Sequence, residues 1–207
     1  MNLTFYYAPM STATITDLVL EELGLTCKRV KLDIKAGDTK KPDFLKVNPN
    51  GKVPVLVHDD TPIWESAAIT MYLGEMFGVD KGLYPKAGPK RGEAMKWITW
   101  TNVTLCDAVY RWARNTMEWV PAEQHNAKAA AAAKTDIAHC LGIVDSALTG
   151  RKFLTGDYTL ADTHLNSCID WLRHMKIDMT AFKHLNEWSQ RCTARPAYSK
   201  VMKAEGM

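Results

Sequence analysis

A proline set just inside an apolar run is the feature that most constrains how this chain can fold. The stretch Asn48-Pro49-Asn50-Gly51-Lys52-Val53-Pro54-Val55-Leu56 reads as a turn feeding a short buried strand, with Val53, Val55, Leu56 and Val57 as its apolar residues. Proline has no N–H for a ladder and fixes φ, so a strand admits it only at an edge, in its first residues or at a bulge. Two readings stay open. One is an edge strand with an ordinary trans proline. The other is a cis Val53–Pro54 bond, whose bend leaves the Val53 N–H and C=O for an extended peptide ligand.

A turn at His58-Asp59-Asp60-Thr61 and a second short strand closing on Ile63-Trp64 follow. Glu65-Ser66 then opens an amphipathic helix with Ile69, Tyr72, Leu73 and Met76 on the i, i+3, i+4, i+7 face. Serine at a helix start ordinarily caps free N–H groups. The same start favours an anion, through those N–H groups and the helix dipole, and a glutamate beside it favours an ammonium. A ligand with both an α-carboxylate and an α-amine, such as a γ-glutamyl group, satisfies the pair.

The 207 residues allow one large domain or two small ones, with a charged fraction of 24% and a hydrophobic fraction of 46% typical of a globule. A net charge of +3 with the signs interspersed gives no case for nucleic acid. No apolar stretch approaches the ~18 residues of a membrane span, and Met1-Asn2-Leu3-Thr4 shows no secretory signal. The five cysteines, at 27, 106, 140, 168 and 192, include no Cys-x-x-Cys and suit reduced, mostly buried thiols in a cytoplasm. The six histidines show no ligand spacing, so no metal site is expected.

From the start, Leu3-Thr4-Phe5-Tyr6-Tyr7 is β-prone, and Ile15, Leu18, Val19 and Leu23 mark a helix closed by Gly24. Alternation over 27–33 predicts a strand, completing a βαβ unit. A polar, lysine-rich stretch over 35–47, two strands and the helix from Ser66 give the order βαβ-α-ββα. Gly82-Leu83-Tyr84-Pro85-Lys86-Ala87-Gly88-Pro89 breaks regular structure. The expected division is a first domain over 1-78, a linker over 79-89 and an all-helical domain over 90-207. A long helix is expected over 90–119, stopped by Pro121, and another over 123–148 that includes five alanines from Ala129. Thr159 and Asp162 stand in capping-box spacing ahead of the apolar face Ala161, Leu165, Cys168, Leu172.

Asn-Pro-x-Gly-x-Val-Pro-x-Leu followed by Glu-Ser-x-Ala-Ile-x-x-Tyr-Leu resembles the thioredoxin-like half of cytosolic glutathione transferases. The Thr159/Asp162 box after Gly156-Asp157 and the tail Arg191-Cys192-Thr193-Ala194-Arg195-Pro196-Ala197-Tyr198 resemble their second half, the bacterial beta class in particular. The resemblance runs from Leu3 to the end. It implies a thioredoxin-like α/β domain followed by an all-α helical bundle.

It further implies a cytoplasmic homodimer that takes glutathione as co-substrate and joins its thiolate to a hydrophobic electrophile. Val53 would pair through its backbone with the cysteinyl unit while Pro54 holds the bend. Glu65 and Ser66 would take the γ-glutamyl end, with Lys35 and Lys52 as candidates for the glycyl carboxylate. Thiolate activation would fall to Ser11, Thr12 or Tyr7. Beta-class relatives carry a cysteine in the turn after the first strand, and gapless alignment puts Thr12 there. Ser11 is preferred because threonine's extra methyl restricts χ1. The missing cysteine favours one rival, a non-catalytic glutathione- or ligand-binding protein of the same fold, and tells against another, a glutathione-dependent thiol or peroxide reductase. The electrophile would lie against the first long helix, whose Trp97, Trp100, Cys106, Tyr110, Trp112 and Arg114 offer an aromatic wall, with at most two or three of them facing substrate and the rest in the core.

Overall fold

A computed structural model describes residues 2–206. Strand β1 (Leu3–Tyr7), helix α1 (Ala13–Glu22) and strand β2 (Lys28–Lys31) form the expected βαβ unit, with β1 and β2 parallel. Helix α2 (Pro42–Val47) leads to the antiparallel strands β3 (Val55–His58) and β4 (Thr61–Trp64), and helix α3 spans Ser66–Leu73. The sheet order is β2-β1-β3-β4. Phe5 sits opposite both Arg29 and Leu56, and Leu56 opposite Ile63. Phe5, Val55 and Leu56 pack against Val19, Leu20, Ile69 and Leu73 in the first core.

The strand after Pro54 is shorter than the apolar run suggests. Pairing begins at Val55, because Val53 and Pro54 form the bend that precedes the ladder. The Val53–Pro54 bond is cis, which selects between the two readings of that proline. Of the helical face expected on α3, Ile69 and Leu73 are buried, Tyr72 is half-buried, and Met76 is exposed in a π-helical turn over Gly74–Gly78. Gly74 is required there: a Cβ would come within 2.6 Å of the Tyr84 ring.

The helical part comprises α4 (Pro89–Trp100), α5 (Cys106–Ala113), α6 (Ala127–Ala147), α7 (Leu160–His174), α8 (Lys183–Thr193) and α9 (Pro196–Glu205). The long helix expected over 90–119 is interrupted by a π-helical turn at Thr101–Leu105, where the Thr101 hydroxyl donates back to the Trp97 carbonyl at 2.8 Å. It stops well before Pro121. Asn115 donates its amide to the Arg111 carbonyl and Thr116 its hydroxyl to the Trp112 carbonyl, local bonds that compete with helix propagation. Only Ala133 of the alanine run is buried, so helix propensity rather than close helix approach accounts for the other four.

Helix α7 is the axis of this half, with Leu160–Asp170 buried throughout. Its start carries the expected capping box: Asp162 accepts the Thr159 N–H at 2.9 Å, and the box is reciprocated. The same carboxylate accepts the Leu154 N–H and the Trp188 indole N–H, both at 2.9 Å. Among the described residues no helix is long and apolar enough to cross a membrane.

Candidate functional site

The loop around Pro54 is shaped from within by Asn48. Its buried side chain donates to the Lys52 carbonyl at 2.7 Å and accepts the Asn50 N–H at 3.0 Å. Gly51 has φ +60°, and a Cβ there would meet the Thr39 carbonyl oxygen at 2.8 Å, so both conformation and space demand glycine. Lys40 donates to the Gly51 carbonyl at 3.2 Å, a cation beside this loop that the sequence reading passed over.

Across from the loop lies the turn into α1. Ser11 is committed to it: its hydroxyl donates to the Ala8 carbonyl at 2.7 Å and accepts the Ala13 N–H at 3.1 Å. Thr12 is exposed, and its hydroxyl makes a long 3.2 Å bond to the Val53 carbonyl. Thr12, Val53 and Pro54 are thereby brought together. The turn is braced from the far end of the chain, where Glu205 accepts the Met10 N–H at 3.2 Å and the Thr14 hydroxyl at 2.7 Å. Met10 itself is left-handed, with φ +53°. Tyr7 is half-buried and stacks on Phe5 with ring centroids 5.4 Å apart, the Arg29 guanidinium lying over both rings.

The pairing of Val55 with Trp64 means that two residues further along the two antiparallel strands stand Val53 and Ser66. Between Trp64 and Ser66 the chain turns sharply at Glu65, which is exposed and has φ +71°. A non-glycine residue held there costs about 1–3 kcal/mol, and such strain collects at functional sites. Ser66 is 4% exposed. Its hydroxyl oxygen accepts the Asn102 amide N–H at 3.0 Å. The Asn102 oxygen faces His164 Nε2 at 2.8 Å, and His164 Nδ1 faces the Thr70 hydroxyl at 2.9 Å.

With the Asn102 amide so oriented, the donors are determined along the whole chain of bonds. Nε2 carries the imidazole proton, Nδ1 accepts from Thr70, and the Ser66 oxygen accepts from Asn102. The Ser66 proton has only a long 3.4 Å bond to the Asn102 oxygen, so it is the one available to an anion at the start of α3. A protonated His164 would break this pattern, and burial pushes its pKa down from 6.5 to about 3, holding it neutral. Asn102, His164 and Thr70 went unassigned in the sequence reading. Their signal was a histidine interrupting the buried face Ala161, Leu165, Cys168, Leu172.

Lys52 is exposed on the proline loop, where its carbonyl rather than its ammonium is held. Lys35 lies on the exposed turn after β2, and among the described residues no hydrogen bond joins it to the loop. The proposed aromatic wall is dispersed: Trp97 is buried, Trp100 packs on it edge to face, and exposed Tyr110 stacks on Trp119. A cavity of about 280 Å³ opens instead beside Met10, walled mainly by Met117, Trp171, Met175 and Met202. Tyr198 donates to Asp170 at 2.7 Å along one side of it. Helices α7 and α9, not the aromatic residues of α4, supply most of these side chains.

Two family models match the chain: "Glutathione S-transferase, N-terminal domain" over residues 1–75 and "Glutathione S-transferase, C-terminal domain" over residues 105–196. Glutathione S-transferase GstB of Escherichia coli K12 is 32% identical over 188 residues, 89% of each chain. Among solved structures, a Methylococcus capsulatus glutathione transferase superposes with a TM-score of 0.86 at 29% identity, covering 99% of this chain and 98% of its own. A sphingomonad glutathione S-transferase complexed with glutathione gives 0.85 at 27% identity, covering 99% of both. The family models, the curated relative and the solved structures agree on a two-part fold over nearly the whole length, and the chain belongs to the glutathione S-transferase family.

Proposed function

We propose that this protein binds glutathione along the proline loop and transfers its thiolate to hydrophobic electrophiles. The observation that supports this is the Thr12 hydroxyl bonded to the Val53 carbonyl at the cis bend, with Met10 and Thr14 on either side of Thr12 lining an apolar cavity; Ser66 follows β4, whose Trp64 pairs with Val55. In this reading 1–78 is the glutathione-binding domain, 79–89 the linker and 90–207 the domain carrying the electrophile. The Val53 backbone, bent at Pro54, pairs with the cysteinyl unit. Ser66 donates to the γ-glutamyl carboxylate while Glu65 faces its ammonium. Lys52, with Lys35 in a lesser role, meets the glycyl carboxylate.

Thr12 is the thiolate donor in preference to Ser11. The Ser11 proton already goes to Ala8 over 2.7 Å, whereas the Thr12 bond to Val53 is a long, part-buried 3.2 Å, so an ionised thiol competes for it. The electrophile occupies the cavity beside Met10, where polarizable methionines adapt to varied apolar shapes. Cytoplasmic residence and pairing with a second copy belong to the same proposal and rest on family membership.

Turnover of glutathione with a panel of aryl halides, enones and peroxides tests the reading, with calorimetric titration of glutathione alongside. Ser66→Ala should weaken binding by about 1–3 kcal/mol, since a buried carboxylate loses its donor. Binding without turnover on any substrate would leave a non-catalytic glutathione-binding protein. An unchanged affinity in Ser66→Ala would place the ligand elsewhere.

A further inference from the structure

Helices α5 and α7 meet through two successive rungs. The first joins Asn102, in the π-helical turn that leads into α5, to His164 of α7 at 2.8 Å. Four residues further along each segment stand Cys106 and Cys168, on the same faces. Their sulfurs are 3.2 Å apart. Both are free thiols; Cys106 is partly exposed and Cys168 is 5% exposed. Disulfide sulfurs stand about 2.05 Å apart, so closing the pair needs a movement of little more than an ångström.

We propose that Cys106 and Cys168 form a reversible dithiol–disulfide pair, oxidised by hydroperoxides, whose closure is felt at the glutathione site through the neighbouring Asn102–His164 rung. Cys106, the accessible member, attacks a peroxide oxygen. The O–O bond breaks, a sulfenic acid forms on Cys106, and the thiol proton leaves with the hydroxide as water. The Cys168 sulfur then attacks the Cys106 sulfur, the S–O bond breaks, and the Cys168 proton leaves with that hydroxide as a second water. Two thiols and one hydrogen peroxide give one disulfide and two waters. Two equivalents of a thiol reverse it and leave as their own disulfide. The bond from Cys106 and burial hold the Cys168 thiol well above the usual cysteine range, so Cys168 stays a thiol until the neighbouring sulfur is oxidised, and its contact with that sulfur, not its acidity, drives the second step.

Closure draws α5 and α7 together one turn from the amide that orients Ser66. The expected consequence is weaker ligand binding, and this second half rests on the glutathione-binding reading above. The full chain is reduced, treated with hydrogen peroxide, alkylated and weighed, then mapped without reductant. Alkylation should label three cysteines instead of the five of the reduced chain, with a Cys106–Cys168 crosslinked peptide, and dithiothreitol should restore all five. S-methylglutathione, which has no thiol to reduce the bond, should bind the oxidised form about fivefold or more weakly by calorimetry. Cys168→Ser treated alike should show no crosslink and no loss of affinity. If that variant does not fold, Cys106→Ser, at the partly exposed position, serves the same comparison. Five labelled cysteines after peroxide, or a crosslink joining other cysteines, would overturn the pair. Equal affinity in the two redox states would overturn the coupling. The mass readout needs no ligand, so a failure of glutathione binding registers separately.

Discussion

Thr12 and Ser11 are adjacent hydroxyls with different commitments. Ser11 holds the turn together through Ala8 and Ala13, and Ser11→Ala should cost about 1 kcal/mol of stability, as for a lost helix cap. Thr12→Ala should instead raise the thiol pKa of bound glutathione by about one unit, equivalent to ~1.4 kcal/mol. Thiolate absorbance against pH measures both variants, and the reverse ranking would return the role to Ser11. His164 makes a separate prediction. Its folded pKa of about 3 lies below the ordinary 6.5, so the unfolded chain takes up a proton that the folded chain refuses. Its contribution is whole above about pH 6.5 and is lost as pH falls toward 3, by up to ~1.4 kcal/mol per pH unit. His164→Gln should be less stable at neutral pH yet flatter in this window by about one proton. Denaturant titrations at several pH values would show it, and parallel curves would mean that the imidazole is not held neutral.

At the scale of elements, the two halves are joined by an ion pair between the end of α1 and the start of α9, its carboxylate buried and its guanidinium partly exposed. Arg195 donates twice to Glu22, both bonds at 2.6 Å, and its guanidinium lies 3.7 Å over the Tyr158 ring. The Tyr158 hydroxyl donates to the same carboxylate at 2.9 Å. Arg195→Ala leaves Glu22 buried with Tyr158 as its remaining partner. It should destabilise the protein by about 1.5–3 kcal/mol, less than a fully buried pair because the guanidinium already meets solvent. Replacing both residues by leucine should cost less than the single change, because no charge is then stranded. A shift in the denaturation midpoint below ~1 kcal/mol for Arg195→Ala would show that the pair is weak despite its geometry.

Across the whole molecule, α1 is covered from two sides. Every residue from Ala13 to Leu20 is buried, because the sheet takes one face while α7 and α9 take the other. Residues 1–78 on their own would expose the second face. The full chain should therefore unfold in one calorimetric transition, with calorimetric and van't Hoff enthalpies equal. Two resolved peaks would show that the halves melt independently.

The order βαβ-α-ββα, the turn around Pro54, the Asp162 box and the helical second half were all legible in the chain. They follow from terms that act within a few residues: periodicity, capping, and the restrictions of proline and glycine. Thr14, Thr16 and Asp17 lie outside the apolar set Ile15, Leu18, Val19 and Leu23 that marks α1, yet they are buried. Only the folded chain brings Glu205 to Thr14 and Arg29 to Asp17. The partner of a polar group depends on packing between segments far apart in sequence. Asn102 and His164 are separated by 62 residues, as are Cys106 and Cys168. Local pattern settled which residues turn, cap and pair along each segment. Which hydroxyl stays free for a ligand, which histidine stays neutral and which thiols meet was decided by tertiary packing, because a buried polar group depends on partners that distant segments bring to it.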